Sequence, residues 1–291
     1  MSLELSTLTN MKTKYIDLHT HTNYSDGIFH EPRMLVSTAA YRGIDILAKT
    51  DHDTFAGFEE TKKEADKFGL ILIPGVEITT PSYHLLAYNF QANERFLKFL
   101  EKSKKFQEDA CKLRAELLHK TGVPINLEKV LEMFPQSRIG KHNLLFTMLG
   151  DEECKEYLRK EHPEKTPYEI FKYYFGKKGI ASNLPDRPGV SFQEAIDKVH
   201  LADGVIGIAH PTKDVKDMKE MDILLEAGID FMEHQILDAK TTYAPFLEFA
   251  KKNNLPITYG SDYHGPTFFR QPLGRQGNIL TEELAGLLKL N

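Results

Sequence analysis

From Tyr15 onward, short apolar runs alternate with stretches of helical period, which is the pattern of a βα series wrapped around a parallel sheet. Strands are predicted over residues 15–20 (YIDLHT), 44–49 (IDILAK), 70–78 (LILIPGVEI) and 84–90 (HLLAYNF). Helices fall between the first three, over about 32–42 and 56–68, with Gly43 and Gly69 placed where a helix C-terminus favours glycine. After Asn93 the alternation stops for about a hundred residues, and long Lys/Glu-rich helical patterns replace it. Strand signals resume at 204–209 (GVIGIA), 229–232 (IDFM) and 256–260 (PITYG). The predicted organisation is a discontinuous α/β barrel or sheet domain, residues 15–92 and 200–291, interrupted by a helical insertion over 93–199.

Charge sharpens this division. The chain has 37 Lys+Arg and 42 Asp+Glu, net −5, so no overall basic coat argues for a nucleic-acid or membrane partner. Residues 91–190, however, hold 19 basic and 15 acidic side chains, net +4, and the remainder holds 18 and 27, net −9. An acidic body under a basic cap suits cations below and an anion between. Cys111 and Cys154 are far apart and form no CxxC, which fits two ordinary buried thiols in a reducing compartment. No apolar run approaches the ~18 residues of a membrane span, and residues 1–14 lack the regions of a signal peptide, so the sequence reads as cytoplasmic.

The chemistry lies at the predicted strand ends. His19 and His21 close the first strand, and a period of two puts both imidazoles on one face. Asp26 follows in a turn, His52 closes the second strand (TDHD), Glu77 the third (GVE), and His84 opens the fourth. His210 follows GVIGIA, and Asp262 and His264 close the last strand (GSDYH). In a closed parallel sheet the C-terminal strand ends share one face, so nine N/O ligands scattered from 19 to 264 become neighbours. Any one histidine is ordinarily a surface or satisfied core residue. Nine together are different, because Asp26, Glu77 and Asp262 packed without cations would repel one another, and divalent ions turn that cost into coordination energy. A ligand set without cysteine points to Zn, Mn or Fe without choosing among them.

DLHTHTNYSDG, TDHD, GVEIT, IAHP and GSDYH, in that order, resemble the successive motifs of the PHP (polymerase and histidinol phosphatase) family over residues 15 to about 90 and 204–265. The resemblance implies a distorted (β/α)7 TIM-like barrel, two or three divalent metals at the C-terminal strand ends, and phosphoesterase activity. By motif, His19, His21, Glu77 and Asp262 would hold a first metal. Glu77 would bridge to a second, completed by His84 and His210, and Asp26, His52 and His264 would hold a third. The helical insertion resembles the nucleotide-acting branch, which includes 3',5'-bisphosphate phosphatases and 5'-end RNA exonucleases. That branch carries an Arg-Pro-His segment in its insert; here the nearest match is Arg138-Ile-Gly-Lys-His142, with no proline and a longer spacing, and Arg187-Pro-Gly matches a later Pro-Gly segment.

The expected reaction is hydrolysis of a nucleotide phosphate ester (a nucleoside monophosphate, a 3',5'-bisphosphate or an RNA 5' end) by metal-activated hydroxide. Glu77, His52 and His142 are the candidate catalytic residues, with Arg138, Lys141 and Arg187 clamping the phosphate from the cap and His142 or His234 as proton donors. The alternatives are a histidinol-phosphate-type small-molecule phosphatase, an amidohydrolase-like C–N hydrolase, and a non-catalytic metal-binding module. Asp17, Asp51 and Asp53 flank ligands and either orient imidazoles or cap the next helix. His30, His119, His162 and His200 lie outside the strand ends and are expected to be solvated; Tyr168, Phe171, Tyr173, Tyr174 and Phe175 have the spacing of helix packing, with base stacking as the other reading. No GxxxxGK[ST], strand-linked GxGxxG or HExxH occurs, which removes the simplest nucleotide-triphosphate, dinucleotide and zincin readings.

Overall fold

The computed structural model of the protein describes residues 13–176, 178–182, 184, 189–235, 243–266, 272–274 and 278–290. In chain order the elements are β1 (Ile16–Thr20), α1 (Pro32–Tyr41), β2 (Ile46–Lys49), α2 (Phe58–Phe68), β3 (Ile71–Thr79) and β4 (His84–Tyr88). Among the described residues, six helices follow: α3 (Glu94–Lys120), α4 (Leu127–Met133), α5 (Lys141–Gly150), α6 (Glu152–Glu161), α7 (Pro167–Phe175) and α8 (Phe192–His200). The chain ends with β5 (Val205–Ile208), α9 (Pro211–Asp214), α10 (Met218–Ala227), β6 (Phe231–His234), α11 (Ala244–Asn253), β7 (Ile257–Tyr259) and α12 (Glu282–Leu287).

The seven strands pair in sequence order. All neighbours are parallel except that β4 runs antiparallel to both β3 and β5. This departs from the uniformly parallel series that the βα alternation predicts. The reason is local: residues 80–83 are too few for a parallel crossover, and Thr80 closes a tight turn by exchanging bonds with Tyr83 at 2.7–3.0 Å. Reversal of β4 leaves its start, His84, beside the C-terminal ends of its neighbours. On the far edge, a parallel bridge from Thr20 to Tyr263 links β1 to the segment after β7, so the sheet forms a nearly closed seven-strand barrel.

Every residue of β1 and β2 is buried, as strands covered on both faces require. The barrel interior is filled by Ile16, Leu18, Ile46, Ile73, Leu86, Tyr88 and Phe231, with the Tyr88 hydroxyl donating to the Leu18 carbonyl at 2.7 Å. A separate core gathers residues from Cys111 to Ala181, joined from outside that stretch by Ile28. The N-terminal turns of α3 (Phe96, Phe99, Leu100) and α8 (Ala195, Ile196, Val199) instead join the cluster around β4 and β5. Cys111 and Cys154 are both buried free thiols, pushed up to about 12 by burial. Among the described residues, no helix is long and apolar enough to cross a membrane; residues 1–12 lie outside them.

Candidate metal centre

The period-two pair His19 and His21 leaves β1 with both imidazoles on the barrel mouth. His19 Nε2 lies 3.0 Å from Glu77 Oε2 and 3.5 Å from Asp262 Oδ1, and His21 Nε2 lies 3.2 and 3.5 Å from the same two oxygens. His21 Nε2 is buried and has no hydrogen-bond partner despite these approaches. That is how coligands of one ion are arranged, with donor atoms gathered around a shared point. Bonds of about 2.1 Å in tetrahedral geometry separate ligand atoms by about 3.4 Å.

Two further groups adjoin this quartet. Glu77, His84 and His210 form one, with His210 Nε2 3.0 Å from Glu77 Oε1, so the two Glu77 oxygens face different groups. The other contains Asp26, His52 and His264, with His21 at its edge; Asp26 Oδ1 lies 2.9 Å from His264 Nε2 and 3.7 Å from His52 Nε2. All nine positions singled out in the sequence therefore come together, each contributing a ligand atom within 4.8 Å of the others in its group. The donor set, imidazole and carboxylate without thiolate, and its spacing fit divalent ions.

Strained backbone and close packing hold this arrangement. His210 and Asp262 take φ of +27° and +56°, the left-handed region in which β-carbon-bearing residues are uncommon, where the chain turns sharply off β5 and β7. Gly260 leaves no room for a side chain: a Cβ there would sit 2.2 Å from His19 Cβ and 2.7 Å from Glu233 Oε1. The loop bearing Asp26 is tied down by Asp51. Its carboxylate accepts from Thr22 N (2.8 Å), Thr22 Oγ1 (2.6 Å) and Ser25 Oγ (2.5 Å), and Lys49 Nζ is 2.6 Å beneath it.

The groups are electrostatically coupled. Burial raises the Glu77 carboxyl, but His52 and His19 beside it bring it well below the usual carboxylate range, and burial of Asp26 is likewise outweighed by His264 and His52. Burial lowers His19, yet Glu233, Glu77 and Asp262 lift it well above its ordinary value; burial lowers His21 too, but the carboxylates of Asp262 and Glu77 close beside it raise it to about 9. Burial wins for His52, which falls well below its ordinary value. The metal-free cluster thus balances its carboxylates with protons on imidazoles, and cations entering it would displace those protons.

A cavity of 280 Å³ opens over this floor, and the helical segment supplies its opposite wall through Arg114, Arg138, Lys141, His142 and Phe171. Arg138 is not a free clamp. Its Nε and Nη2 bind Asp53 Oδ2 at 3.1 and 2.7 Å, and Nη2 also donates to Thr79 Oγ1 at 2.9 Å. His142 has Nδ1 2.9 Å from Asp26 Oδ2 and stacks on Phe171 with ring planes 6° apart. Tyr174 and Phe175 belong to the helical core, so of the aromatic group Phe171 is the member that reaches this cavity wall. Arg187 lies outside the described residues.

Several expectations change. His30 is buried, 1% exposed, and not solvated: the loop folds back through Asn23 N–H to His30 O and sets the ring edge-on against Tyr263, where burial lowers its pKa to about 4. Asp17 and Asp53 hold backbone instead of imidazoles, Asp17 accepting from Ser261 N and Gly274 N and Asp53 from Thr79 N. His234 packs against Tyr243 and Tyr259.

Three contributors escaped sequence reasoning. Glu233 takes the Nδ1 of His19 at 2.8 Å and accepts from His210 N at 2.7 Å. Asp214 holds His84, and Lys213 places Nζ 2.8 Å from Asp262 Oδ2 at the cavity rim. A carboxylate four residues after His210 was the available signal for Asp214; Glu233 carried none beyond its place at a strand end.

A PHP domain model matches residues 17–162. The chain is 29% identical over 267 residues to the 5'-3' exoribonuclease of Haemophilus influenzae, covering 87% of this chain and 91% of that protein. It is 27% identical over 263 residues to the phosphoribosyl 1,2-cyclic phosphate 1,2-diphosphodiesterase of Eggerthella lenta, covering 86% and 94%. Among solved structures, a Bifidobacterium adolescentis protein to which metal-dependent phosphoesterase activity is ascribed superposes with a TM-score of 0.77 at 24% identity, over 94% of this chain and 95% of that one. With a family model spanning half of the sequence and relatives matched almost end to end, the chain belongs to the PHP domain family and is a metal-dependent phosphoric ester hydrolase.

Proposed function

We propose that the chain hydrolyses a terminal phosphate ester of a nucleotide, with nucleoside 3',5'-bisphosphates and the 5' end of short RNA as the leading substrates. The observation that carries this reading is the 3.0–3.5 Å spacing of ligand atoms around Glu77, on the floor of a cavity whose opposite wall is basic. His19, His21, Glu77 and Asp262 would hold one divalent ion, Glu77, His84 and His210 a second, and Asp26, His52 and His264 a third, drawn from Mn, Zn or Fe. When bound, such ions neutralise phosphoryl oxygens and bring the ionisation of a coordinated water close to neutral pH.

The residues of the chain do the rest. Lys141 and Lys213, on opposite sides of the cavity, add positive charge where the phosphoryl group gathers negative charge. His142, oriented by Asp26 and backed by Phe171, delivers a proton to the leaving oxygen. Arg138, locked on Asp53, shapes the wall. The cavity is the size of a phosphate and its sugar, so a base or a following nucleotide would extend outward past the helical segment 93–199, which acts as the cap. The 5'-3' exoribonuclease relative supports an RNA end as one form of this substrate.

The test is phosphate release by metal-loaded protein from 3',5'-bisphosphates, nucleoside monophosphates, 5'-phosphorylated RNA and histidinol phosphate, with and without chelator. Chelator-sensitive turnover of a nucleotide class, lost by more than about a thousandfold in folded His52→Ala and Glu77→Ala, is the expected result. Preference for histidinol phosphate or for a C–N substrate would replace the reading, and full activity in either variant would refute the site.

A further inference from the structure

The second ligand group is the least enclosed of the three. His84 is its exposed member, with about a third of its side chain open to solvent, whereas His19, His21 and Glu77 are fully buried. A partly exposed imidazole is not fixed by packing alone and loses rotamer freedom when it holds an ion. Asp214 removes that freedom. Its Oδ2 accepts from His84 N at 3.0 Å and lies 2.9 Å from His84 Nδ1, and the same oxygen is 3.6 Å from His210 Nδ1. One carboxylate oxygen therefore binds the Nδ1 side of His84 and lies near that of His210 without bonding it, while His210 Nε2 is 3.0 Å from Glu77 Oε1 and a ligand atom of His84 lies within 4.8 Å of both. Asp214 sits four residues after His210, across α9, a turn that begins at the strained His210.

We infer that Asp214 is a positioning residue for the second ion: by fixing the tautomer and ring orientation of His84, the group's exposed member, it sets the affinity of the Glu77–His84–His210 group without touching the ion itself. This rests on the metal reading of the site but not on the identity of the substrate. Carboxylates behind metal-binding histidines contribute about 10–100-fold in affinity. The consequence is a chain whose ions differ in hold, with the second released first when Asp214 is altered.

The experiment is titration of the chelator-stripped full-length protein with Mn²⁺ alone, free Mn²⁺ being read by electron paramagnetic resonance, for wild type, Asp214→Asn, Asp214→Ala and His84→Ala. Asp214→Ala should weaken one equivalent of Mn²⁺ by about 10–100-fold and leave the others at wild-type affinity; Asp214→Asn should fall between. Excess Mn²⁺ should restore the missing equivalent in both Asp214 variants, but not in His84→Ala. Wild-type binding curves for both Asp214 variants would overturn the inference, as would uniform weakening of every equivalent. Should Asp214→Ala not fold, Asp214→Asn decides alone. No substrate enters the measurement, so an absence of phosphate release would refute the proposed function and leave this result standing.

Discussion

Replacing Arg138 with Met should uncouple the helical cap from the barrel. Met keeps the apolar stem and removes the guanidinium, whose Nε and Nη2 grip Asp53 Oδ2 at 3.1 and 2.7 Å with both side chains buried. Loss of one partner of a buried pair costs about 3–5 kcal/mol, because the other charge is stranded. Asp53 keeps two donors, Thr79 N at 2.8 Å and Ser103 Oγ at 2.7 Å, which places the cost near the lower end, about 3 kcal/mol. In a chain of this size that is a fall of about 6–12 °C in melting temperature. Arg138→Lys should recover less than half, since an ammonium cannot reproduce the fork. The assay is urea denaturation of wild type, Arg138→Met, Asp53→Asn and the double variant at low and high salt. The double variant should be less unstable than the two singles combined, by about 2 kcal/mol, and salt should change little because the pair is buried. A loss under about 1 kcal/mol with additive singles would refute the claim that this pair joins cap to barrel.

Gly260→Ala should weaken the first ion by at least about tenfold and cost about 1–3 kcal/mol, although it removes no ligand, because its Cβ would sit 2.2 Å from His19 Cβ; Mn²⁺ titration and urea denaturation check both, and a wild-type result would contradict the packing described. Metal affinity should rise with pH: the carboxylates beside His19 and His21 lift both above the ordinary imidazole range, His21 to about 9, so protons compete with the ion for these rings and the competition at His21 fades as pH rises through about 9. Calorimetry in buffers of different ionisation heat should show net proton release with the first ion, shrinking as pH rises through about 9. Stripping the ions should leave a folded chain, since protonated imidazoles balance Glu77 and Asp262, and saturation at about a hundred times the dissociation constant should then add about 2.7 kcal/mol of stability per ion, visible by calorimetric melting.

The strand ends made much of the centre readable. HxH after an apolar run fixes two imidazoles on one face from period alone, and TDHD, GVE and GSDYH each end a strand, so the βα series brings them together without knowledge of any side-chain contact. Second-layer contacts were harder to read because they depend on pairing across the sheet. Glu233 looks like one alternating residue of FMEH, and only the placement of β6 beside β5, with β1 close by, brings it to His19 and His210. Asp214 belongs to a four-residue helix too short to display a period. The basic residues of the insert showed the sign of the cap's charge but not its partners, so Arg138 read as a phosphate clamp although most of its fork is committed to Asp53. His30 read as solvated because its burial depends on how the loop after β1 folds back, which local pattern does not encode.

Nine side chains from across the chain are placed to surround divalent ions. Anomalous diffraction at the manganese edge from Mn²⁺-soaked crystals of the full-length protein tests it most directly. Two or three peaks are predicted among the three groups, with Glu77 between two of them and ligand atoms at about 2.0–2.3 Å. Peaks away from Glu77, or none under saturating Mn²⁺, would contradict the account.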